Sequence, residues 1–169
     1  MTPPAAIVVM GVSAAGKSSV AAALAERLGV PWADADGLHS ADNVAKMAAG
    51  QPLGDDDRWP WLDVVGQTLA DGVASGGMIV ACSALRRTYR DRIRRFAPDA
   101  VFVHLSAPEE VLAARAAART GHFMPATLLA SQLAILEPLG PDESGVVVDV
   151  TPPVADVAEQ AVRALSERS

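Results

Sequence analysis

Apolar residues in this chain cluster in short blocks separated by longer stretches of helical periodicity. Ala5–Met10 is an unbroken apolar run rich in β-branched residues that stops at Gly11, the pattern of a strand buried on both faces. The spacing predicts a helix over Lys17–Leu28 closed by Gly29, then a short strand, Val30–Ala33, that runs into Asp34 and Asp36. Ser40 is placed to cap a helix over Ala41–Ala49, with Gly50 closing it. Asp55–Asp57 precede a longer helix expected to begin near Pro60 and to end at Gly76–Gly77. Further along, strands are expected at Met78–Cys82, Val101–Leu105 and Val146–Val150. Helices are expected over Arg87–Phe96, Pro108–Arg119, Ala126–Leu136 and Val154–Ser166. Strands alternating with helices imply an α/β fold: a five-stranded parallel sheet covered by helices on both faces. Ligands of such sheets bind at the carboxyl ends of the strands, where Gly11, Asp34, Asp36, Cys82 and Ser83 all fall.

Composition narrows this picture. The 169 residues fit one domain, and no repeat, low-complexity tail or linker breaks them. Half the residues are apolar but only 4% are aromatic, so the core is expected to be Ala, Val, Leu and Ile. A formal net charge of −6 argues against binding nucleic acid or an anionic membrane through the overall field. An anionic ligand must then be held by local basic groups. Cys82 is the single cysteine, which excludes an internal disulfide and suits a reducing cytoplasm. The first apolar run is too short for a signal peptide or a membrane span, and the protein reads as cytoplasmic.

Gly11-Val12-Ser13-Ala14-Ala15-Gly16-Lys17-Ser18 matches the phosphate-binding pattern G-x-x-x-x-G-K-[ST], with Ser19 next in the same cradle. Glycines let backbone N–H groups wrap phosphates, and the following helix adds its positive end. Lys17 is expected on the β- and γ-phosphates of ATP, and the Ser18 hydroxyl on Mg²⁺. A bare glycine turn would look similar, but the position between a buried strand and a helix is the confirming context. Two classes compete: a metabolite kinase and an NTP-hydrolysing switch or motor. Asp34-Ala-Asp-Gly37 spells a D-x-x-G, yet it follows the P-loop too closely for a switch segment, and no N-K-x-D reads guanine. The strand before Cys82-Ser83 also lacks a terminal Asp. Asp34 and Asp36, two apart at a strand end, should share one side. One can hold Mg²⁺ through water, here Asp34; the other can orient and deprotonate the attacking hydroxyl, here Asp36. Two turn-forming aspartates are the plain alternative.

Several blocks together resemble the gluconokinase family. They are the P-loop, Asp34-Ala-Asp36-x-x-His39, Asn43-x-x-Lys46-Met47, Gly50-Gln-Pro52-Leu53 and Asp55-Asp-Asp-Arg58-x-Pro60-Trp61-Leu62. Cys82-Ser-Ala-Leu-Arg86-Arg87-x-Tyr89-Arg90-Asp91 and Arg119-x-Gly121-His122-Phe123 complete the set, from Ile7 to about Asp149. Ala35 stands where the family usually has Gly, and Met124 where many members have an aromatic residue. The resemblance implies phosphorylation of D-gluconate by ATP to 6-phospho-D-gluconate. It also implies an adenylate-kinase-like fold with a helical lid (about 119–137) and a tendency to form homodimers. Shikimate kinase shares the P-loop and an Asp-x-Asp and is the main rival.

By the same resemblance Arg58 grips the sugar-acid carboxylate, which a guanidinium can hold with two parallel hydrogen bonds. Arg115 lies near the base, Arg119 on the phosphates beside Lys17 and Asp36 in the catalytic set, and His122 on the lid. His39, beside Asp36, is a candidate hydroxyl contact, as is Ser83. Arg86 and Arg90, four apart near the crevice, are candidates for the carboxylate. Arg92 and Arg95 read as a solvated helix face, and no aromatic residues interleave this basic run to stack bases. Gln132 either bonds substrate hydroxyls or is one residue of a polar helix face. Cys82 reads as a small buried residue, and Trp32, Trp59 and Trp61 as packing.

Overall fold

The computed structural model describes residues 3–118 and 126–168. Strands β1 (Ala6–Met10), β2 (Trp32–Asp34), β3 (Met78–Ala81), β4 (Val101–Ser106) and β5 (Gly145–Asp149) form one sheet in the order β2-β3-β1-β4-β5. Every adjacent pair is parallel, with Val8 of β1 level with Val80 of β3 and Phe102 of β4. The helices among the described residues are α1 (Lys17–Leu28), α2 (Ala41–Ala48), α3 (Asp55–Ala74), α4 (Arg87–Arg94), α5 (Glu109–Ala118), α6 (Ala126–Ile135) and α7 (Val154–Glu167). The chain builds outward to β2, returns to β3, then crosses β1 to β4. The P-loop leaves β1 at that reversal, where parallel sheets open a crevice.

Alternation along β1 divides the core. Ile7 and Val9 pack with Val20 and Leu24 of α1, Leu112 of α5 and Val157 and Leu165 of α7. Val8 and Met10 pack on the opposite face with Leu62, Val65 and Leu69 of α3, Ile93 of α4 and Phe102. This gives three layers, filled as the composition predicts by small and branched aliphatics, with Trp61, Tyr89 and Phe102 the large aromatics among them.

Two elements differ from expectation in ways that shape the site. β2 starts two residues later than its apolar run suggests and ends one later, and a 3₁₀ turn, Ala35–Leu38, follows it directly. The Asp34 side chain caps that turn, accepting from the Asp36 N–H at 2.9 Å. Asp36 therefore sits on a turn, not on a strand, and the same-side relation expected from alternation does not apply. α3 begins at Asp55 instead of near Pro60. The three aspartates form its first turn, against the positive helix end, and Asp57 accepts from the Gly54 N–H at 3.0 Å. Pro60 is accommodated inside the helix, at the loss of one backbone hydrogen bond. The remaining boundaries move by one or two residues, as fraying ends do.

Candidate active site

After β1 the backbone makes a 3₁₀ turn over Ser13–Ala15 and enters α1 through Gly16, whose φ of 85° is left-handed and open to glycine at no steric penalty. At Gly11 a Cβ would lie 3.0 Å from the Leu105 carbonyl oxygen and 3.2 Å from the Ala15 Cβ, so only glycine lets the loop pass. The Lys17 ammonium bends back to donate to the Val12 carbonyl at 3.1 Å. Ser18 Oγ donates to Asp34 Oδ2 at 2.5 Å, which places these two oxygen donors side by side.

A cavity of about 380 Å³ opens on one side of the loop, lined by Ala14, Ala15, Gly16, Ser19, Arg115, Val150 and Pro152–Val154. Arg115 forms its rim, donating to the carbonyls of Val150 and Thr151. A second cavity, about 660 Å³, opens on the other side. Its polar wall contains Ser13, Asp36, His39, Arg58, Ser83, Tyr89 and Gln132; Met47, Leu53, Trp61, Leu85 and Ile135 supply apolar wall.

The walls of the larger cavity are tied together by side chains. Asn43 is buried on α2; its amide nitrogen donates to the Asp57 carbonyl at 2.9 Å and meets His39 Nδ1 at 3.2 Å. An amide nitrogen can only donate, so Nδ1 accepts and Nε2 carries the imidazole proton. The His39 ring stacks on Trp61 at 4.2 Å, and Trp61 donates to the Ala35 carbonyl at 2.7 Å. Burial lowers the His39 pKa; Asp36 opposes this and Arg58 reinforces it, so the imidazole is neutral at neutral pH. Arg58 donates to the Tyr89 hydroxyl at 3.2 Å, and that hydroxyl donates to Asp55 at 2.7 Å. Burial and the Asp55 bond raise the Tyr89 pKa and keep the phenol protonated. Gln132 Oε1 accepts from both the Ser13 N–H and the Ser13 hydroxyl, each at 2.7 Å, pinning α6 to the P-loop.

The sequence-derived set is thus largely assembled: Ser13, Asp36, His39, Arg58, Ser83 and Gln132 share one cavity, while Lys17 and Ser18 open α1 at the end of the P-loop and Ser18 meets Asp34. Arg90 is a correction. It is fully buried, forms a two-pronged ion pair with Glu143 at 2.8 and 3.0 Å, and lines none of the cavities described. A guanidinium engaged in this way has no face to offer a substrate. Arg86 is not on a helix face with Arg90: it is the extended residue before α4, exposed and outside the lining of the larger cavity. Arg92, read as solvated, is paired with Asp63 at 2.5 and 2.9 Å and lies over Trp59. Gln132 is anchored by the P-loop instead of standing as a free polar face. Burial pushes the Cys82 thiol up to about 12, which bars it as a nucleophile. Arg119, His122 and the first part of the expected lid lie outside the described residues.

Some site residues carried no assigned role in the sequence reading. Tyr89 is the chain's only tyrosine and lies within the Arg86–Asp91 block, a signal that could have marked it. Gln51 and Pro52, inside the Gly50–Leu53 block, also line the larger cavity; Leu128 and Ser131 line it, and Val150, Pro152, Pro153 and Val154 the smaller, without a residue pattern that would single them out.

A parallel sheet with a phosphate loop at its reversal point, flanked by two separate cavities, defines a P-loop kinase that brings a nucleotide and a second substrate together. Residues 7–139 match the AAA domain family of P-loop proteins. A gluconokinase of Gluconobacter oxydans is 49% identical over 141 residues, spanning 83% of this chain and 79% of that one. The crystal structure of a gluconokinase from Sinorhizobium meliloti superposes with a TM-score of 0.90 at 47% identity, over 99% of this chain and 95% of the other. The chain belongs to the gluconokinase family. A shikimate kinase from Acinetobacter baumannii shares the fold, with a TM-score of 0.63 at 18% identity over 100% of this chain and 96% of that one.

Proposed function

We infer that this protein is a gluconokinase, transferring the γ-phosphoryl group of ATP to the primary hydroxyl of D-gluconate to give ADP and 6-phospho-D-gluconate. One observation carries the reading within the family: the cavity beside the P-loop pairs a carboxylate, Asp36, with a guanidinium, Arg58, both acting on His39. A sugar acid needs that combination, a cation for its carboxylate and a proton acceptor for its hydroxyl.

In this reading the nucleotide base and ribose occupy the smaller cavity, against Arg115, and the phosphates lie on the P-loop N–H groups from Gly16 to Ser19 with Lys17. Arg58, with the Tyr89 hydroxyl beside it, holds the gluconate carboxylate. His39 Nε2–H, Ser83 and Gln132 serve the hydroxyls along the chain. The acceptor oxygen forms its bond to the γ-phosphorus as the bond to the β–γ bridging oxygen breaks; its proton passes late to Asp36, and ADP leaves. Ser18 and Asp34 are hard oxygen donors already in contact, a set that suits Mg²⁺ bound directly or through water. Mg²⁺, when bound, supplies charge neutralisation at the β- and γ-phosphates. Arg119, His122 and a closing lid complete the proposal by family resemblance, with exclusion of water as their task. A homodimer and a cytoplasmic location complete the reading; light scattering at assay concentration tests the first.

The test is ADP release measured with gluconate, shikimate, other sugar acids and nucleoside monophosphates. Gluconate should drive release strongly, with little hydrolysis in its absence. Rapid acceptor-independent hydrolysis, or preference for another acceptor, overturns the reading.

A further inference from the structure

Residues 82–86 join β3 to α4, and the carbonyls of Ser83, Ala84 and Leu85 are each held by a different part of the chain. Ser83 accepts from the Gly11 N–H of the P-loop at 3.3 Å, and Leu85 from the Glu137 N–H at 2.7 Å, just beyond α6. Between them the Ala84 carbonyl accepts from Arg90 Nη1 at 2.8 Å. Ala84 has φ 44°, the one positive value at a non-glycine residue among those described. An L side chain is disfavoured there, so the surroundings must impose the conformation. Ser83 and Leu85 both line the larger cavity, so a change at Ala84 re-aims both.

Arg90 is the group that grips this turn from below. Its Nε and second Nη close on Glu143 at 2.8 and 3.0 Å, leaving the first Nη for Ala84. Glu143 is fixed in turn by Arg94 at 2.6 Å and by the Gly140 N–H at 2.8 Å. Both members of the pair have fully buried side chains. A buried ion pair is a poor source of stability, because an apolar pair of similar volume serves as well or better. What it supplies here is direction: one planar fork fixed on two fronts.

We propose that Arg90 and Glu143 are positioning residues for the acceptor site, holding Ala84 left-handed so that Ser83 and Leu85 face the cavity. This rests on the reading of the larger cavity as the gluconate site. The pair touches neither cavity and acts only through the turn.

Arg90→Lys keeps a cation opposite Glu143 but cannot bridge Glu143 and Ala84 together. It should raise the gluconate KM about tenfold and leave the ATP KM within about twofold. Ala84→Gly removes the steric objection to positive φ, so in the Arg90→Lys background it should restore most of the loss. The four corners of that cycle are measured on purified protein checked by circular dichroism. Glu143→Gln, with the charge gone and the shape kept, carries the same expectation at about threefold and decides the matter if Arg90→Lys does not fold. An unchanged gluconate KM, an equal loss for ATP and gluconate, or no relief from Ala84→Gly overturns the proposal. If the wild type ignores gluconate but releases ADP with another acceptor, the gluconate reading falls alone, and the same cycle is read on that acceptor's KM.

Discussion

Removing the charge of Asp36 while keeping its size, as Asp36→Asn does, should lower kcat by roughly 10²–10⁴, the range for a general base, with ATP binding retained. Asp34→Asn should behave differently. Asp34 contacts the Ser18 hydroxyl and caps the turn that carries Asp36, whereas Asp36 lines the larger cavity. Its loss should therefore be partly reversed by raising Mg²⁺, and steady-state kinetics of both variants over a Mg²⁺ series separates the two roles. An Asp36→Asn enzyme with near wild-type kcat would remove the base from the mechanism. Arg58→Ala should raise the gluconate KM by roughly ten- to hundredfold, the equivalent of the roughly 1.5–3 kcal/mol typical of charge-assisted hydrogen bonds, with the ATP KM little changed. Equal changes in both constants would count against a carboxylate contact. Asp36 and Arg58 were both legible as residues, because the P-loop and the Asp-rich block fix their neighbourhood in sequence. Tyr89, which orients Arg58, was not, since its bond joins residues on different helices.

At the level of elements, the 3₁₀ turn, α2 and α3 make one corner of the larger cavity. Asn43 is its fastening, with one amide nitrogen serving His39 and the Asp57 carbonyl. Asn43→Ala removes the donor that His39 Nδ1 and the Asp57 carbonyl share, and should cost about 1–3 kcal/mol of stability. The loss is read as a lower urea midpoint at unchanged m-value, together with a raised gluconate KM because His39 loses its orientation. A stability loss with gluconate kinetics intact would separate Asn43 from the site. The alternation of strands and helices was legible from hydrophobic blocks and glycine caps. The early start of α3 was not: Pro60 reads as a helix start, but the preceding aspartates already satisfy the helix end, and the first turn outranks the proline.

Across the whole molecule, the segment from Glu137 to Gly145 is bound to α4 by a network centred on Glu143. Burial pushes the Glu143 carboxyl up, but bonds from Arg90, the Gly140 N–H and Arg94 together outweigh it, taking the pKa from its ordinary 4.5 down to about 2. A depressed carboxylate contributes stability that is complete above the unfolded pKa and is lost as pH falls through the folded one. The contribution should therefore be intact above about pH 4.5 and disappear towards about pH 2. Denaturation midpoints of the wild type should fall over that window more steeply than those of Glu143→Gln. Parallel curves would show that Glu143 does not govern the acid limb.

By itself the sequence determined the order of strands and helices, the phosphate loop and the family, because each is written in contiguous residues: a buried run, two glycines and a lysine, a cap, a block of three aspartates. It also placed the core in aliphatic residues, which composition alone dictates. Only the tertiary structure decided what the basic run from Arg86 to Arg94 does. Arginines at Arg86, Arg90, Arg92 and Arg94 look alike along the chain. Their partners lie far away, Glu143 being 53 residues beyond Arg90 and Asp63 being 29 residues before Arg92. The same holds for Gln132 on Ser13, 119 residues apart, and for the larger cavity as a whole. Local patterns encode local conformation. Which charge is buried, and which is left to meet a substrate, is settled only when the sheet brings distant segments together.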